Sequence, residues 1–124
     1  MSTKPPSQCD VIINGAGLIG SSCALALART GMTVVVLDKS PAFQSPPEQP
    51  TRVSSINHAS QNILVHLDVW PDIPTEALNV FERIEVWDAL SQGTISFDAA
   101  TLGLTHLGHI VSNNSICAAL HHAL

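Results

Sequence analysis

The sequence predicts an α/β fold, and three features near its N-terminus indicate this. A short β-branched apolar run at 9–14 is typical of a strand buried on both faces of a parallel sheet. After a glycine-rich turn, the Ala- and Leu-rich segment 21–30 predicts a helix that ends at Gly31. A second apolar run at 33–37 completes a Rossmann-like β–α–β unit, for which a right-handed crossover is expected.

The glycine-rich turn contains the motif that points to chemistry. Glycines at the spacing G-x-G-x-x-G stand between the predicted strand and the predicted helix. In this setting they permit a tight turn, close approach of a phosphate to the backbone, and close packing of helix on strand. The N–H groups at the start of the helix then favour a diphosphate. The predicted contacts to a dinucleotide are Gly15, Ala16, Gly17, Leu18, Ile19 and Gly20.

An acidic residue stands where such a site binds ribose. Asp38 ends the second predicted strand, eighteen residues beyond Gly20, where it can accept hydrogen bonds from a ribose hydroxyl. Its charge disfavours the 2′-phosphate of NADP, and Lys39 beside it is also predicted to contact the cofactor. The alternative is a plain glycine turn next to a solvated aspartate. The motif by itself does not choose between FAD and NAD.

The remaining elements are predicted from proline content and hydrophobic spacing. Four prolines at 40–50 predict a surface loop. From Ser54, as the cap, a helix is predicted with Ile56, Ile63, Leu64 and Leu67 on one face, and Pro71 and Pro74 close it. Two antiparallel strands and a final helix follow, at Phe81 to Trp87, Thr94 to Phe97 and Asn113 to Leu124, with a turn at 91–93.

The domain boundaries are predicted from these segments. Residues 1–8 are a disordered lead-in, 9–80 the N-terminal part of a dinucleotide-binding domain, 81–106 strands bordering a substrate domain, and 107–124 a return helix of the first domain. One β–α–β unit leaves the first strand without the parallel neighbours of a doubly wound sheet. Charged residues make up only 12% of the chain, which suggests that more protein normally covers it. We therefore interpret the sequence as truncated.

Composition excludes several classes of function. The net charge of −5 and the pI near 5.5 provide no basic surface for a nucleic acid. The cysteines Cys9, Cys23 and Cys117 form no C-x-x-C pair, so a reducing cytoplasm is expected rather than a disulfide framework. The first apolar run is too short for a signal-peptide core or a membrane span. Cys23, on the first helix, is expected to be buried and structural.

The six histidines do not predict a metal site. His106 and His109 are expected in a loop. His121 and His122 are neighbours on the last helix, where side chains point about 100° apart and seldom share one ion. No Ser–His–Asp arrangement has a recognisable local context.

Five ordered segments resemble one enzyme family. They are 52–57 (RVSSIN) with Ala59-Ser60, 67–70 (LDVW), 85–88 (EVWD), 95–98 (ISFD) and 106–111 (HLGHIV). Together with the glycine motif, they resemble the FAD-dependent hydroxylases of ubiquinone biosynthesis, most closely the 2-polyprenylphenol hydroxylase branch. The resemblance covers nearly the whole chain after residue 9.

The resemblance implies FAD bound without a covalent link, NAD(P)H as electron donor, and O2 as co-substrate. The protein would hold the flavin and the ring in line and exclude water. The implied substrate is a polyprenylphenol, and other ubiquinone-biosynthesis proteins and the inner membrane surface are implied neighbours. Arg52 would lie near the flavin and diphosphate, or be only an exposed arginine ahead of a helix, and Asn113 would hydrogen-bond the flavin.

The sequence departs from the family at three places. Asn14 precedes the glycines instead of a small or apolar residue, Ser112 replaces a glutamate, and His121 replaces a tryptophan. Trp87 and Phe97 would border the substrate pocket, and we expect them to be core residues. The family's later Asp-Gly and Gly-Asp segments are absent, so the chain alone is expected to be inactive.

Other functions stay open. Another FAD-dependent oxidoreductase, such as an amine oxidase, shares the glycine motif, although the Trp-Asp and Gly-His-Ile-Val segments argue against it. An NAD-dependent dehydrogenase is disfavoured by the proline loop and Arg52. A truncated, non-catalytic nucleotide-binding or assembly module is the alternative from a different class.

Overall fold

The computed structural model describes residues 8–39, 52–90 and 92–124. The predicted proline loop, Ser91 and nearly all of the predicted lead-in lie outside these ranges. The β–α–β unit is confirmed: strand β1 (Val11–Asn14), helix α1 (Leu18–Arg29) and strand β2 (Val34–Leu37) follow in order, with β1 and β2 parallel. Gly31 ends the unit's helix in a positive-φ conformation, as predicted.

Strands β1 and β2 are less buried than expected. The prediction of a strand covered on both faces is wrong for the described residues, where the Ile12 side chain is 63% exposed. Helix α1 covers one face of this two-stranded sheet. Ala24, on the covered face of α1, is buried, whereas Cys23 is exposed, contrary to the prediction. Side chains of adjacent helix residues point about 100° apart, so Cys23 and Ala24 lie on different faces of α1. The sequence did not show which of these faces the sheet covers.

The segment after the proline loop begins as a strand. Strand β3 (Val53–Asn57) precedes helix α2 (His58–His66), so the prediction of a helix from Ser54 is wrong. The N-cap is Asn57, whose side chain accepts a hydrogen bond from the Ser60 N–H. The buried Ile56 belongs to β3, not to the helix face, and Ile63 is exposed. Pairing with a distant strand decides the conformation here, because local propensity is too weak to do so.

That distant strand is β7 (Gly108–Ser112), the centre of a three-stranded antiparallel sheet with the order β3-β7-β4. His109 lies on β7, so its predicted place in a loop is wrong, whereas His106 does precede the strand in a loop. Strand β4 (Asn79–Phe81) includes Phe81, which we had expected in the later hairpin. A Cβ on Gly108 would lie 2.3 Å from the Ile56 carbonyl oxygen, so this close pairing needs glycine.

The predicted antiparallel pair is confirmed as strands β5 (Arg83–Trp87) and β6 (Thr94–Asp98). Trp87 is 71% exposed and Phe97 is 51% exposed, so the expectation that both are core residues is wrong in this chain. Short 3-10 helices occur at Trp70–Asp72, Thr75–Ala77 and Ala99–Leu102.

Helix α3 (Asn113–Ala123) closes the fold, as predicted. Ile116 and Leu120 lie on its buried stripe and pack with residues from α1, α2, β3 and β7. The core of the described residues consists of Leu25, Ile56, Leu64, Leu67, Val69, Ile73, Val111, Ile116, Ala119 and Leu120. No helix within the described residues has the length and apolar character needed to span a membrane.

Candidate functional site

The glycine loop between β1 and α1 is held by close backbone packing. Gly15 has φ +109°, a conformation that favours glycine. A Cβ on Gly20 would lie 1.8 Å from the Gly15 carbonyl oxygen, so the first turn of α1 approaches the loop too closely for a side chain. These two glycines therefore shape the turn and its contact with the helix, which are two of the tasks predicted for the motif.

The N–H of Ala16 points towards the end of β2. It donates a 2.6 Å hydrogen bond to Oδ2 of Asp38. The carboxylate of Asp38 therefore lies at the mouth of α1, next to the glycine loop. A carboxylate has two oxygens and several acceptor positions, so Asp38 can accept more than this one bond.

The carbonyl of Ala16 points towards two helices. Its oxygen accepts a 3.0 Å hydrogen bond from Ser21 Oγ of α1 and lies 2.8 Å from Nε2 of His121 on α3. Because a carbonyl oxygen only accepts, the proton of this second bond is on Nε2 of His121. Ser21 is completely buried, which is unusual for a polar side chain and fits its bond to the loop.

The direction of the Ala16 carbonyl sets the direction of the next N–H. Across a trans peptide, the C=O of Ala16 and the N–H of Gly17 point to opposite sides, and the described residues contain no cis peptide. With its oxygen held against Ser21 and His121, this peptide must direct the Gly17 N–H away from both helices.

Space is open beside Gly17. A Cβ built on this residue meets no atom within 4 Å, in contrast to Gly20. The backbone of Gly17 is extended, with φ −77°, so its conformation does not require glycine. The opening therefore fits the approach of a ligand group to the backbone, and the helix begins at the next residue with uncapped N–H groups.

Arg52 and Asn113, both predicted flavin contacts, are neighbours across the β3–β7 ladder. The Asn113 N–H donates to the Arg52 carbonyl oxygen at 3.1 Å, and Oδ1 of Asn113 accepts from Ser54 Oγ at 2.6 Å. Arg52 is exposed, and it precedes a strand rather than the predicted helix. The predicted helix capped by Ser54 is therefore wrong, although Arg52 is exposed as its alternative interpretation expected, and its contact with the flavin stays a prediction.

The predicted site residues form two groups. The first includes the glycine loop, Asp38 and the exposed Lys39; the second is the Arg52–Asn113 pair. The hydrogen bonds described above lie within each group. Helix α3 connects the two groups, because it begins at Asn113 and reaches the loop at His121, about 12 Å further along its axis.

Sequence reasoning missed two residues that hold the loop, Ser21 and His121. A polar residue directly after the last glycine of the motif, where the helix must pack closely on the loop, could have indicated a buried hydrogen bond for Ser21. His121 had no local signal, because its partner is 105 residues away in the sequence.

A cluster of histidines lies apart from the glycine loop. The rings of His58 and His106 are 4.8 Å apart, as are those of His106 and His109, and Trp70 packs edge-on against His109. Burial, and then the nearby His106 and His58, lower the pKa of His109. Within 8–39, 52–90 and 92–124, no three potential ligands are arranged to hold a metal ion.

Comparison with known proteins identifies the family. The family model described as FAD dependent oxidoreductase matches residues 10–109, a range that contains the glycine loop, Asp38 and the three-stranded sheet up to β7. The chain belongs to this family. The cofactor of the family is FAD, in agreement with the cofactor that the resemblance implied.

The curated relatives include enzymes named for ubiquinone or its precursors. The chain is 33% identical to the ubiquinone biosynthesis monooxygenase COQ6 of Xenopus tropicalis, over 97% of this chain and 27% of that protein. It is 34% identical to the 3-demethoxyubiquinol 3-hydroxylase of Escherichia coli, over 98% of this chain and 31% of that protein. The chain thus spans less than a third of the length of these relatives.

A solved structure supports the fold. The p-nitrophenol 4-monooxygenase of Pseudomonas putida superposes with a TM-score of 0.64 at 18% identity, covering 91% of this chain and 28% of that one. The predicted α/β class is therefore confirmed, and the relatives confirm the resemblance to the hydroxylases of ubiquinone biosynthesis.

Proposed function

We propose that this chain binds the adenosine diphosphate half of FAD, as the N-terminal part of an enzyme that hydroxylates the aromatic ring of a ubiquinone precursor. The observation that carries the proposal is the fixed backbone of Ala16. Its N–H is hydrogen-bonded to Asp38 and its carbonyl oxygen to side chains of α1 and α3, while open space lies beside Gly17.

The diphosphate is proposed to lie in front of α1. Gly15 and Gly20 shape the loop, and Gly17 leaves room for a phosphate oxygen to reach the backbone. The N–H groups of Gly17, Leu18 and Ile19 then stabilise its negative charge, helped by the dipole of α1. Ile19 is highly exposed in the first turn of α1, and a bound cofactor would cover part of it.

The adenosine ribose is proposed to bind at Asp38. This carboxylate stands at the tip of β2 and already accepts an N–H from the glycine loop. A ribose hydroxyl can donate to the same carboxylate, so the sugar would lie against the mouth of α1. Lys39, the residue after Asp38, adds a positive charge beside the proposed ribose site.

The flavin end is proposed to lie towards Arg52 and Asn113. The exposed Arg52 can form forked hydrogen bonds to a phosphate, and the Asn113 amide has donors left after its Oδ1 accepts from Ser54. Helix α3 joins this pair to the glycine loop, so both groups can contact one extended cofactor.

We propose that the reaction uses O2, in keeping with the name monooxygenase of one relative, and NAD(P)H as the electron donor that the family resemblance implies. FAD supplies the oxidation chemistry when bound, and this chain binds and orients it. The substrate class is a polyprenylphenol. Because a polyprenyl tail partitions into lipid, we also propose that the enzyme works at the inner membrane surface, near other ubiquinone-biosynthesis proteins.

Titration with FAD tests the binding proposal. The chain should quench FAD fluorescence on binding, and Gly17→Val should bind at least about tenfold more weakly, because its side chain fills the opening. Two aspartates provide a matched pair: Asp38→Ala should weaken binding, whereas Asp10→Ala should not. Asp10 accepts the Thr33 N–H at the opposite end of the same strands. Equal FAD affinity in wild type, Gly17→Val and Asp38→Ala would contradict the proposed site.

A chimera tests the reaction. Residues 1–124 would replace the matching segment of the Escherichia coli hydroxylase, and FAD content and hydroxylated product would be measured together. We expect a flavin-loaded chimera that adds one oxygen atom to the demethoxyubiquinol substrate named for that relative. A chimera that carries FAD but forms no product would favour the non-catalytic nucleotide-binding module instead.

A further inference from the structure

We infer that His121 is a positioning residue for cofactor binding: its Nε2–H, donated across the fold to the Ala16 carbonyl, sets the direction in which the Gly17 N–H meets the FAD diphosphate. The inference rests on the proposed function and extends it to a residue on α3.

The contact joins two distant parts of the chain. Nε2 of His121 lies 2.8 Å from the Ala16 carbonyl oxygen, and the contact is partly buried between α3 and the loop. Its neighbour His122 points elsewhere, with Nδ1 3.3 Å from Asp72 in an exposed pair. Two adjacent histidines of one helix therefore have different partners, and His121 alone of these two reaches the loop.

Because the Ala16–Gly17 peptide is planar, the hydrogen bond of His121 to the Ala16 oxygen also fixes the direction of the Gly17 N–H. Ser21 Oγ and His121 Nε2 both hold the Ala16 oxygen, while Asp38 holds the Ala16 N–H on the preceding peptide. The two peptide planes on either side of Ala16 are thereby held by three elements of the fold. Rotation of the Ala16–Gly17 peptide would break the bonds of Ser21 and His121 and change the direction of the Gly17 N–H, which now points away from both helices.

The same contact links the two groups of proposed FAD residues. Helix α3 has Asn113 in its first turn and His121 in its last. Packing of Ile116 and Leu120 in the core keeps this helix in place. The hydrogen bond donated by His121 therefore fixes the position of the glycine loop, where the diphosphate would bind, relative to Asn113, where the flavin would bind.

Three variants separate the hydrogen bond from simple packing. His121→Leu removes the donor and retains an apolar side chain, His121→Gln retains an N–H of similar reach, and His122→Leu is the matched control on the same turn. We expect the Kd for FAD to rise about fivefold in His121→Leu, the usual effect of one hydrogen bond, to stay within about twofold in His121→Gln, and to be unchanged in His122→Leu.

A spectroscopic measurement tests the contact without any cofactor. In the wild-type chain, nitrogen-15 NMR should show the His121 ring proton on Nε2, and His121→Leu should shift the Gly17 amide resonance while His122→Leu leaves it in place. A proton on Nδ1 only would overturn the inference, and because it is read in the wild-type chain it does not depend on the folding of any variant. An unchanged Gly17 resonance in folded His121→Leu would overturn it as well.

The outcomes also distinguish this inference from the proposed function. If the wild-type chain does not bind FAD, the proposed function fails while NMR still decides whether the His121 contact exists. If FAD binds equally to wild type and His121→Leu, the inference fails and the proposed function stands. If His121→Gln binds FAD as weakly as His121→Leu does, the imidazole ring acts by packing rather than by its hydrogen bond, and the inference is wrong.

Discussion

Helix α3 and the β5–β6 hairpin are both amphipathic, yet their apolar side chains have opposite environments. Leu120 of α3 is fully buried at 0% exposure, whereas Val86 of β5 is 53% exposed. On the hairpin, Ile84 pairs with Phe97 and Val86 with Ile95, so these four side chains share one face, and Arg83 and Glu85 lie on the other.

The difference lies in what each element packs against. Helix α3 contacts α1, β7 and the 3-10 helix at Trp70–Asp72, so its apolar stripe is covered on several sides. The hairpin strands contact chiefly each other, and β6 also contacts the 3-10 helix that follows it. An apolar face shows which side chains act together, but its contribution to stability depends on the surface that covers it.

The largest effect on stability is expected at Gly20 of α1, the helix against which α3 packs. Gly20→Val would force a side chain into the space of the Gly15 carbonyl, so we expect a loss of at least about 3 kcal/mol in the free energy of unfolding, or failure to fold. Urea denaturation followed by circular dichroism measures it. The control is Gly17→Val, which faces open space and should cost only about 1 kcal/mol. Similar losses in both variants would show that the loop is not packed as described.

Truncation within the α3 stripe should have the next largest effect. Leu120→Ala leaves a cavity in the core, and we expect a loss of about 3 kcal/mol in the free energy of unfolding. Thermal and urea unfolding would measure it. A loss below about 1 kcal/mol would mean that α3 is only loosely attached to the rest of the chain.

Acid should weaken the packing of β7. The pKa of His109 is lowered, chiefly by burial, so the unfolded chain binds a proton at higher pH than the folded chain does. Stability from neutral His109 is therefore complete above the ordinary histidine pKa of about 6.5 and is lost as pH falls below it. We expect Tm to drop between pH 7.5 and 5.5, and His109→Phe to reduce that drop by a few degrees. His66→Gln, at an exposed histidine, is the control; an equal reduction there would contradict the assignment to His109.

The smallest effect is expected on the hairpin. Phe97→Ala removes a half-exposed ring whose main partner is Ile84 on the neighbouring strand, so the loss should stay below about 1 kcal/mol. The same unfolding measurements apply. A loss as large as that of Leu120→Ala would show that the apolar face of the hairpin is covered in solution, and would remove the contrast between the two regions.

Local signals predicted the elements whose partners are close in sequence. The glycine motif, the helix after it and the Asp38 position follow from residues 9–38, and the β5–β6 pair follows from two β-prone runs around a short turn. Strand β3 was predicted as a helix and β7 as a loop, because each is stabilised by the other across the fold. Such long-range pairing leaves little trace in local propensity.

The sequence by itself determined the β–α–β unit with its glycine turn and the acid at the end of its second strand, because a tight turn and apolar periodicity are local requirements of the chain. Tertiary structure alone decided that Ser21 and His121 hold the Ala16 carbonyl, that Arg52 and Asn113 meet, and that Trp87 and Phe97 are exposed. The physical reason is that hydrogen-bond direction and burial depend on which distant segments pack together, and no local pattern records that.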